Sequence, residues 1–95
     1  MAVTVSLAGS TGSIGTQTLE VIAAEPDRFE VVALGASRSV DDLAEQARRW
    51  SPKLVAIADP ALAPALEAEV PAGTEVIAGP DALAQLATSA DVCVN

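Results

Sequence analysis

The sequence predicts an α/β fold in which helices cover both faces of a parallel sheet. Five short apolar segments alternate with stretches of helical periodicity, and strands that alternate with helices form parallel sheets. A glycine-rich turn joins the first strand to the first helix, which is a frequent arrangement in such folds. The chain has 95 residues, of which 51% are apolar, so it can bury one core and forms a single domain at most.

The first half of the chain contains two strand–helix pairs. The first strand covers residues 3–8, and the second covers residues 30–34 and is closed by Gly35. The first helix ends at Glu25, because the following proline disfavours helical geometry there. The second starts at Ser39, whose hydroxyl is expected to cap it, with Asp42 three residues on. Helical spacing predicts the buried faces: Ile14, Thr18, Leu19, Val21 and Ile22 in the first helix, and Val40, Leu43, Ala44, Ala47 and Trp50 in the second.

The second half repeats this alternation. Residues 54–57, 75–78 and 91–94 are predicted strands, and residues 80–87 are a predicted short helix. Pro64 requires that the intervening helix either kinks or begins at Pro64 and ends near Glu69. No helix follows the last strand, although open parallel sheets bind ligands beyond the carboxyl ends of their strands. We therefore expect the chain to be the front part of a larger protein, incomplete at its C-terminal end.

The first strand departs from the pattern of a central parallel strand. Val3, Val5 and Leu7 alternate with Thr4 and Ser6, whereas a strand that is buried on both faces is normally apolar throughout. The polar positions therefore disagree with a central place in the sheet.

Composition excludes several classes of function. Thirteen acidic and five basic residues give a net charge of −8, whereas a nucleic-acid-binding domain is expected to be basic. Histidine and tyrosine are absent and cysteine occurs once, which removes histidine-based triads, a tyrosine–lysine pair and zinc sites. Cys93 cannot form an internal disulfide, and no apolar run reaches the roughly 18 residues of a membrane-spanning helix. We expect a soluble, cytoplasmic protein with no nucleic-acid or membrane partner.

The turn after the first strand has the residue types of a phosphate-binding loop. Gly9, Gly12 and Gly15 are spaced G-x-x-G-x-x-G. Glycines permit a tight turn, and the helix N-terminus offers free N–H groups and a positive dipole to a pyrophosphate. The loop therefore predicts a Rossmann-like, doubly wound sheet that binds a dinucleotide. The alternative is a tight strand-to-helix turn in which Gly15 serves only helix–sheet packing. No lysine is present, so this is not a P-loop.

The end of the second strand predicts which dinucleotide binds. NAD-binding units place an acidic residue about 20 residues beyond the glycines, where it binds the ribose 2′-hydroxyl. Here Ser37, Arg38 and Ser39 occupy that region without an acid. A guanidinium between two hydroxyls suits a 2′-phosphate, which predicts NADPH rather than NADH. The alternatives are an exposed Arg38 that pairs with Asp41 or Asp42, and a Ser39 that only caps its helix.

Several other residues have structural interpretations. Trp50 is expected to lie in the core or in an interface, and Cys93 is expected to be a small buried hydrophobe. Asn95, at the end of the last strand, is a further candidate for the nicotinamide end of the site. Four acids are expected on solvated helix surfaces, with no metal-ligand cluster among them: Asp41, Asp42, Glu67 and Glu69.

Residues 9–19 (GSTGSIGTQTL) closely resemble the start of the 1-deoxy-D-xylulose 5-phosphate reductoisomerases. The resemblance continues through residues 26–34 (PDRFEVVAL), 43–46 (LAEQ), 51–53 (SPK) and 74–79 (TEVIAG). The string GSTGSIG followed by PDRF is much more specific than a glycine pattern. The resemblance covers essentially the whole chain, but only the front of a family member several times as long.

This resemblance implies an NADPH-dependent enzyme of non-mevalonate isoprenoid biosynthesis. Enzymes of this family rearrange and reduce 1-deoxy-D-xylulose 5-phosphate to 2-C-methyl-D-erythritol 4-phosphate, use Mg²⁺ or Mn²⁺, and are generally homodimers. Matching positions assign the NADPH phosphates and nearby ribose to Thr11, Gly12, Ser13 and Ile14, and the 2′-phosphate to Ser37, Arg38 and Ser39.

The sequence departs from the family at a few positions. Family members commonly have Gly-Lys/Arg-Asn where this chain has Ser37, Arg38 and Ser39, so the charge is kept and the two flanking residues differ. Ala8 stands where a larger aliphatic residue is common. The family's metal-binding acids, substrate-phosphate residues and catalytic-loop histidine match nothing in this sequence. The chain alone is therefore expected to bind NADPH without catalysis.

Two other functions stay open at this point. One is a stand-alone dinucleotide-binding regulatory module without catalysis. The other is a different reductase, such as a short-chain dehydrogenase or a semialdehyde dehydrogenase. A downstream Tyr-x-x-x-Lys motif or a catalytic cysteine would mark that second possibility.

Overall fold

The computed structural model describes residues 2–94, which form a single five-stranded sheet flanked by helices. The strands are β1 (Val3–Ala8), β2 (Phe29–Ala36), β3 (Leu54–Ile57), β4 (Glu75–Ala78) and β5 (Val92–Val94). The α-helices are α1 (Ser13–Ala23), α2 (Val40–Trp50), α3 (Ala63–Glu67) and α4 (Ala82–Ala87), and a 3₁₀ turn at Pro60–Leu62 precedes α3. The strand order is β4-β3-β2-β1-β5, and all neighbouring strands are parallel.

Helices cover both faces of the sheet, so the predicted doubly wound, Rossmann-like α/β fold is confirmed. On one face, α1, α2 and α3 pack on a core that includes Leu34, Leu43 and Leu66. On the other face, α4 packs through Ala82 and Leu86. From β1 to β4, each strand is added beside the previous one, and the connecting helices lie on the first face. The next connection, through α4, crosses the other face and places β5 beside β1. The direction of winding therefore reverses between β1 and β5.

The buried face of α1 differs from the predicted one. Leu19 and Ile22 are buried as expected, but Ile14 and Val21 are 68% and 62% exposed. Gly15 completes the buried face. Its missing side chain lets α1 approach the preceding loop closely, and that approach sets the rotation of the helix about its axis. The prediction was wrong at Ile14 and Val21 because it was based on the spacing of apolar side chains. Glycine has no side chain, so this pattern does not reveal that Gly15 faces the interior.

β1 is a central strand despite its polar positions. Ser6 is fully buried, and its hydroxyl has no hydrogen-bond partner among residues 2–94. Thr4 has a clear role, because its Oγ1 accepts from the Asp91 N–H at 2.9 Å while its own N–H donates to Asp91 Oδ2 at 3.2 Å. These two hydrogen bonds attach the start of β5 to β1. The expectation that β1 is not a central strand is therefore wrong. Thr4 uses its polar side chain to pair with the start of β5, and Ser6 is buried without a partner among the described residues.

Several element boundaries also differ from the predictions. β2 continues past Gly35, since Gly35 and Ala36 still pair with β3. The helix after β3 begins at Ala63, with Pro64 in its first turn, and ends at Glu67 rather than Glu69. The fourth helix begins at Ala82 rather than Pro80, and β5 begins at Val92. The predicted bounds of β3 and β4 are confirmed.

Two single-residue predictions were wrong. Ser39 occupies the N-cap position of α2, but its hydroxyl makes no capping hydrogen bond. Cys93 is half-buried rather than buried, because β5 forms an edge of the described sheet.

Within residues 2–94, no helix has the length and apolar character needed to cross a bilayer.

Ser51→Gly is expected to raise the free energy of unfolding by about 1 kcal/mol. Ser51 follows α2 in the left-handed conformation, with φ of 46° and ψ of 53°, which glycine adopts without steric cost. Urea denaturation of the 95-residue chain measures the change. Ser51→Ala is the matched control, since it removes the hydroxyl and keeps the Cβ, and it should not stabilise. Equal stabilisation by both variants would contradict the explanation.

Candidate functional site

The loop at residues 9–15 joins β1 to α1 and packs closely against its own helix. Gly9 has φ of +91°, a conformation that favours glycine. A Cβ on Gly15 would lie 2.4 Å from the Gly9 carbonyl oxygen and 2.7 Å from Ser10 Cα. Both neighbours are backbone atoms, so α1 can meet the loop only because residue 15 lacks a side chain. Gly15 thus has a packing role, but its partner is the loop rather than the sheet of the alternative interpretation.

β2 anchors the beginning of this loop. The N–H groups of Gly9 and Ser10 both donate to the Gly35 carbonyl at 2.8 Å, and Ser10 Oγ donates to the same oxygen at 3.3 Å. Ser10 is fully buried, so these bonds satisfy polar groups that water cannot reach. Gly35 lies two residues before Ser37. The two predicted halves of the site are therefore joined through one carbonyl group at the carboxyl ends of β1 and β2.

Several backbone N–H groups of the loop and of the first turn of α1 lack an acceptor among the described residues. The Gly12 N–H donates to the Gly9 carbonyl at 3.2 Å. The N–H groups of Thr11, Ser13 and Ile14 have no hydrogen-bond acceptor within residues 2–94. Ser13 and Ile14 begin α1, where the helix dipole is positive. Free N–H groups at such a terminus form a binding site for an anion, and phosphate is the common case.

A cleft of about 370 Å³ opens beside this helix terminus. It lies between the carboxyl ends of β1 and β5, where the direction of winding reverses. Ligands of open α/β sheets bind at this point because the loops after the two strands diverge to opposite faces and leave a crevice. The residues that line the cleft are Leu7, Ala8, Gly9, Gly12, Ser13, Ile14, Gly15 and Val94. The crevice thus combines an apolar wall with the anion-binding end of α1.

Arg38 lies at the carboxyl end of β2 between two exposed serines, Ser37 and Ser39. Its side chain is 81% exposed, and its Nε lies 3.8 Å from Asp59 Oδ2. The alternative pairing with Asp41 or Asp42 is therefore wrong, since the guanidinium faces the turn after β3 instead. An exposed pair at this distance contributes little to stability. The guanidinium can consequently turn to a ligand anion without disturbing the fold.

The residues given structural interpretations are placed largely as expected. Trp50 packs against the core and lines a separate cleft of about 340 Å³ between α1 and α2. The Arg49 guanidinium lies 5.4 Å from the Trp50 ring centroid. Four acids are exposed on their helices or helix ends: Asp41, Asp42, Glu67 and Glu69. Asn95, the candidate for the nicotinamide end, lies outside the described residues.

Two residues near the site escaped the sequence analysis. Gln46 of α2 donates from Nε2 to the Ser10 carbonyl at 2.9 Å. Asp59 accepts from the Ala61 N–H at 3.0 Å, which caps the 3₁₀ turn, and also faces Arg38. The sequence held no local signal for Gln46, because its partner is 36 positions away in the chain. An aspartate before a proline is typical of a helix start, but nothing in the pair Asp59-Pro60 indicates its nearness to Arg38.

The part of the chain that the structure describes holds no metal-binding cluster. No three histidine, cysteine, aspartate or glutamate side chains lie close enough together within residues 2–94 to bind an ion. The polar groups that this region offers to a ligand are backbone N–H groups, hydroxyls and one guanidinium.

Comparison with protein families gives one match over nearly the whole chain. The family model for 1-deoxy-D-xylulose 5-phosphate reductoisomerase matches residues 5–95. The reductoisomerase of Thermomicrobium roseum is 52% identical over 92 residues, which is 95% of this chain and 23% of that protein. That of Anaeromyxobacter sp. strain K is 53% identical over 75 residues, which is 79% of this chain and 19% of that protein.

Solved structures give the same result. The Zymomonas mobilis reductoisomerase in complex with NADPH superimposes with a TM-score of 0.90 at 42% identity, over 98% of this chain and 25% of that one. A reductoisomerase in complex with NADPH, fosmidomycin and magnesium superimposes with a TM-score of 0.81 at 28% identity, over 94% of this chain and 22% of that one. The chain thus spans about a quarter or less of the length of these relatives.

Proposed function

Because the chain belongs to the 1-deoxy-D-xylulose 5-phosphate reductoisomerase family, we propose that it is the N-terminal part of that enzyme's NADPH-binding domain. The relatives are about four to five times as long, and a family member of known structure binds NADPH. Family membership favours this proposal over a stand-alone regulatory module and over other reductases. The relatives come from bacteria, which supports a bacterial enzyme, and we propose that it is cytoplasmic.

The free N–H groups of the glycine loop carry the proposal. Thr11, Ser13 and Ile14 have backbone N–H groups with no acceptor within residues 2–94, and Ser13 and Ile14 line the cleft at the positive end of α1. A pyrophosphate supplies several oxygens that can accept from them. Gly12 is exposed and has no side chain there, so the phosphate groups can approach the backbone. NADPH therefore fits this loop through its diphosphate.

The end of β2 supports NADPH over NADH. Ser37, Arg38 and Ser39 are all exposed there, and the region offers a guanidinium and hydroxyl groups in place of an acid. Arg38 can bind the extra phosphate with charge-assisted hydrogen bonds. The contact between Arg38 Nε and Asp59 Oδ2 is 3.8 Å long and exposed, so a phosphate can replace it at little cost. These residues would hold the 2′-phosphate.

The complete enzyme would rearrange 1-deoxy-D-xylulose 5-phosphate and reduce it to 2-C-methyl-D-erythritol 4-phosphate. When bound, NADPH supplies the hydride for that reduction. The residues of this chain bind and orient the dinucleotide, with the apolar wall of the cleft beside it. We propose that other parts of the complete protein bind Mg²⁺ or Mn²⁺ and the phosphosugar. Within residues 2–94, no group of three histidine, cysteine, aspartate or glutamate side chains fits a metal ion. We propose a homodimer for the complete enzyme.

The 95-residue chain is expected to bind NADPH at least about tenfold more tightly than NADH, because one added phosphate gains charge-assisted hydrogen bonds. NADPH fluorescence and calorimetry measure both dissociation constants at one fixed salt concentration. Circular dichroism before and after titration verifies that the chain is folded. Equal affinity for the two dinucleotides, or tighter binding of NADH, would contradict the assignment of residues 37–39.

A further inference from the structure

Gln46 connects α2 to a buried carbonyl group of the glycine loop. Its Nε2 donates to the Ser10 carbonyl oxygen at 2.9 Å. Ser10 is fully buried, so its carbonyl depends on a protein donor, and a buried acceptor without one costs about 1–3 kcal/mol. Within residues 2–94, no other group donates to this oxygen. The hydrogen bond from Gln46 is therefore what satisfies it.

The loop is held from three sides around this carbonyl. In β2, the Gly35 carbonyl accepts hydrogen bonds from the Gly9 and Ser10 N–H groups. In α1, Gly15 packs directly against the backbone of Gly9 and Ser10. α2 supplies the third contact through Gln46. The first two contacts fix the peptide group before Ser10 and the position of Ser10 Cα. α1 also packs against Ser10 C, the carbon of the peptide group that follows Ser10, and Gln46 makes the hydrogen bond that sets the direction of its carbonyl oxygen.

That following peptide group contains a donor of the proposed site. The Ser10 carbonyl and the Thr11 N–H belong to one planar trans unit, so they point in opposite directions. When Gln46 holds the carbonyl oxygen, the Thr11 N–H must point away from Gln46. That N–H has no acceptor within residues 2–94. Gln46 thereby orients a donor that it does not touch.

The amide of Gln46 is oriented by the same contact. Because a carbonyl oxygen only accepts, Nε2 must face Ser10, and Oε1 is left buried without a partner among the described residues. A leucine of similar size would avoid the cost of burying that oxygen. Packing alone therefore does not favour glutamine at this position, whereas loop orientation does.

We propose that Gln46 is a positioning residue for phosphate binding, which sets the direction of the Thr11 N–H through the Ser10 carbonyl. The proposal rests on the proposed function for its ligand, the NADPH diphosphate. The proposal gives α2 a role in the site that is separate from that of the exposed residues 37–39, which precede the helix. It also identifies a contribution from a residue that does not contact the ligand.

Gln46→Leu and Gln46→Glu test the proposal in the 95-residue chain. Both variants preserve approximate size and remove the donor at neutral pH. We expect the dissociation constant for NADPH to rise about tenfold with either, the equivalent of one hydrogen bond. The matched control is Gln85→Leu, which removes an exposed amide from α4 and should leave affinity unchanged.

Nitrogen-15 relaxation of the ligand-free protein supplies a readout that does not depend on NADPH. The order parameter of the Thr11 N–H should fall from about 0.85 to below about 0.6 in both Gln46 variants. The value at Leu43, in the core of α2, should not change. A uniform fall over α2 and the loop would indicate a structural role only and would overturn the proposal.

A pH series on Gln46→Glu separates hydrogen bonding from shape. The protonated carboxyl group can donate to the Ser10 carbonyl, so the order of Thr11 should recover as the pH falls through the pKa of the introduced group. Its charged neighbours lie along the cleft between α1 and α2: Glu20, Asp42, Glu45 and Arg49. Gln46→Leu should show no recovery.

The outcomes distinguish the two proposals. If the wild-type chain does not bind NADPH but the Gln46 variants loosen Thr11, the proposed function fails and the positioning role remains. If NADPH binds and neither variant changes its affinity or the order of Thr11, the positioning role fails and the proposed function remains.

Discussion

Gly15→Ala is expected to lower the free energy of unfolding by about 3 kcal/mol and to weaken NADPH binding about 100-fold. The added Cβ would lie 2.4, 2.7 and 2.8 Å from three backbone atoms, which are Gly9 O, Ser10 Cα and Ser10 C. Backbone cannot rotate away as a side chain can, so either α1 or the loop must move, at the upper end of the usual cost of overpacking. That movement misplaces two loop donors, each worth about 1.5 kcal/mol to a charged acceptor.

Gly12→Ala is the matched control for the effect on stability. Its added Cβ would lie 3.6 Å from Gly9 O, an ordinary contact, and Gly12 has a φ of −79° that alanine adopts freely. Chemical denaturation of both variants compares the two changes. A Gly15→Ala chain as stable as the wild type would show that the helix approaches the loop less closely than described.

Arg38→Ala is expected to weaken NADPH binding about 30-fold and to leave NADH binding unchanged. Loss of charge-assisted hydrogen bonds to the 2′-phosphate costs about 2 kcal/mol. Thermal stability should not change, because the guanidinium is 81% exposed and its 3.8 Å contact with Asp59 is weak. Parallel titrations with NADPH and NADH, at low and high salt, measure the effect.

Arg28→Ala provides the control for net charge. Arg28 is also exposed and paired, with Glu25 at 3.2 Å. It directly precedes β2, so it lies at the amino end of that strand, whereas Arg38 lies beyond the carboxyl end. Both variants lower the net charge equally, so a general electrostatic effect would weaken NADPH binding in both. Two results would contradict the assignment of the 2′-phosphate to Arg38. One is an equal loss of NADPH affinity in both variants, and the other is an equal loss of NADH and NADPH affinity in Arg38→Ala.

Local sequence signals predicted the order of elements well. β3 and β4 have the predicted bounds because short apolar runs between turn residues are strong strand signals. The buried stripe of α2 is also as predicted, since Leu43, Ala44 and Ala47 are buried and the two ends of the stripe pack against the core. These features depend on neighbours within a few positions of each other in the chain.

Features that depend on distant contacts were missed. The burial of α1 follows Gly15 and the loop rather than the apolar spacing of Ile14 and Val21. Thr4 has its polar partner 87 positions away in Asp91, which no local pattern indicates. Gln46 looked like an unremarkable residue beside a helical stripe, although it donates to the loop 36 positions earlier.

The sequence by itself determined the fold class, the position of the glycine loop and the replacement of an acid by Arg38, because each depends on residue type and short spacing. Only the tertiary structure decided which face of α1 is buried, that Ser6 lies in a central strand, that Arg38 faces Asp59, and that α2 holds the Ser10 carbonyl. The physical reason is that backbone donors and acceptors must be satisfied when they are buried. Which group satisfies them depends on where the packing of sheet and helices brings distant segments together.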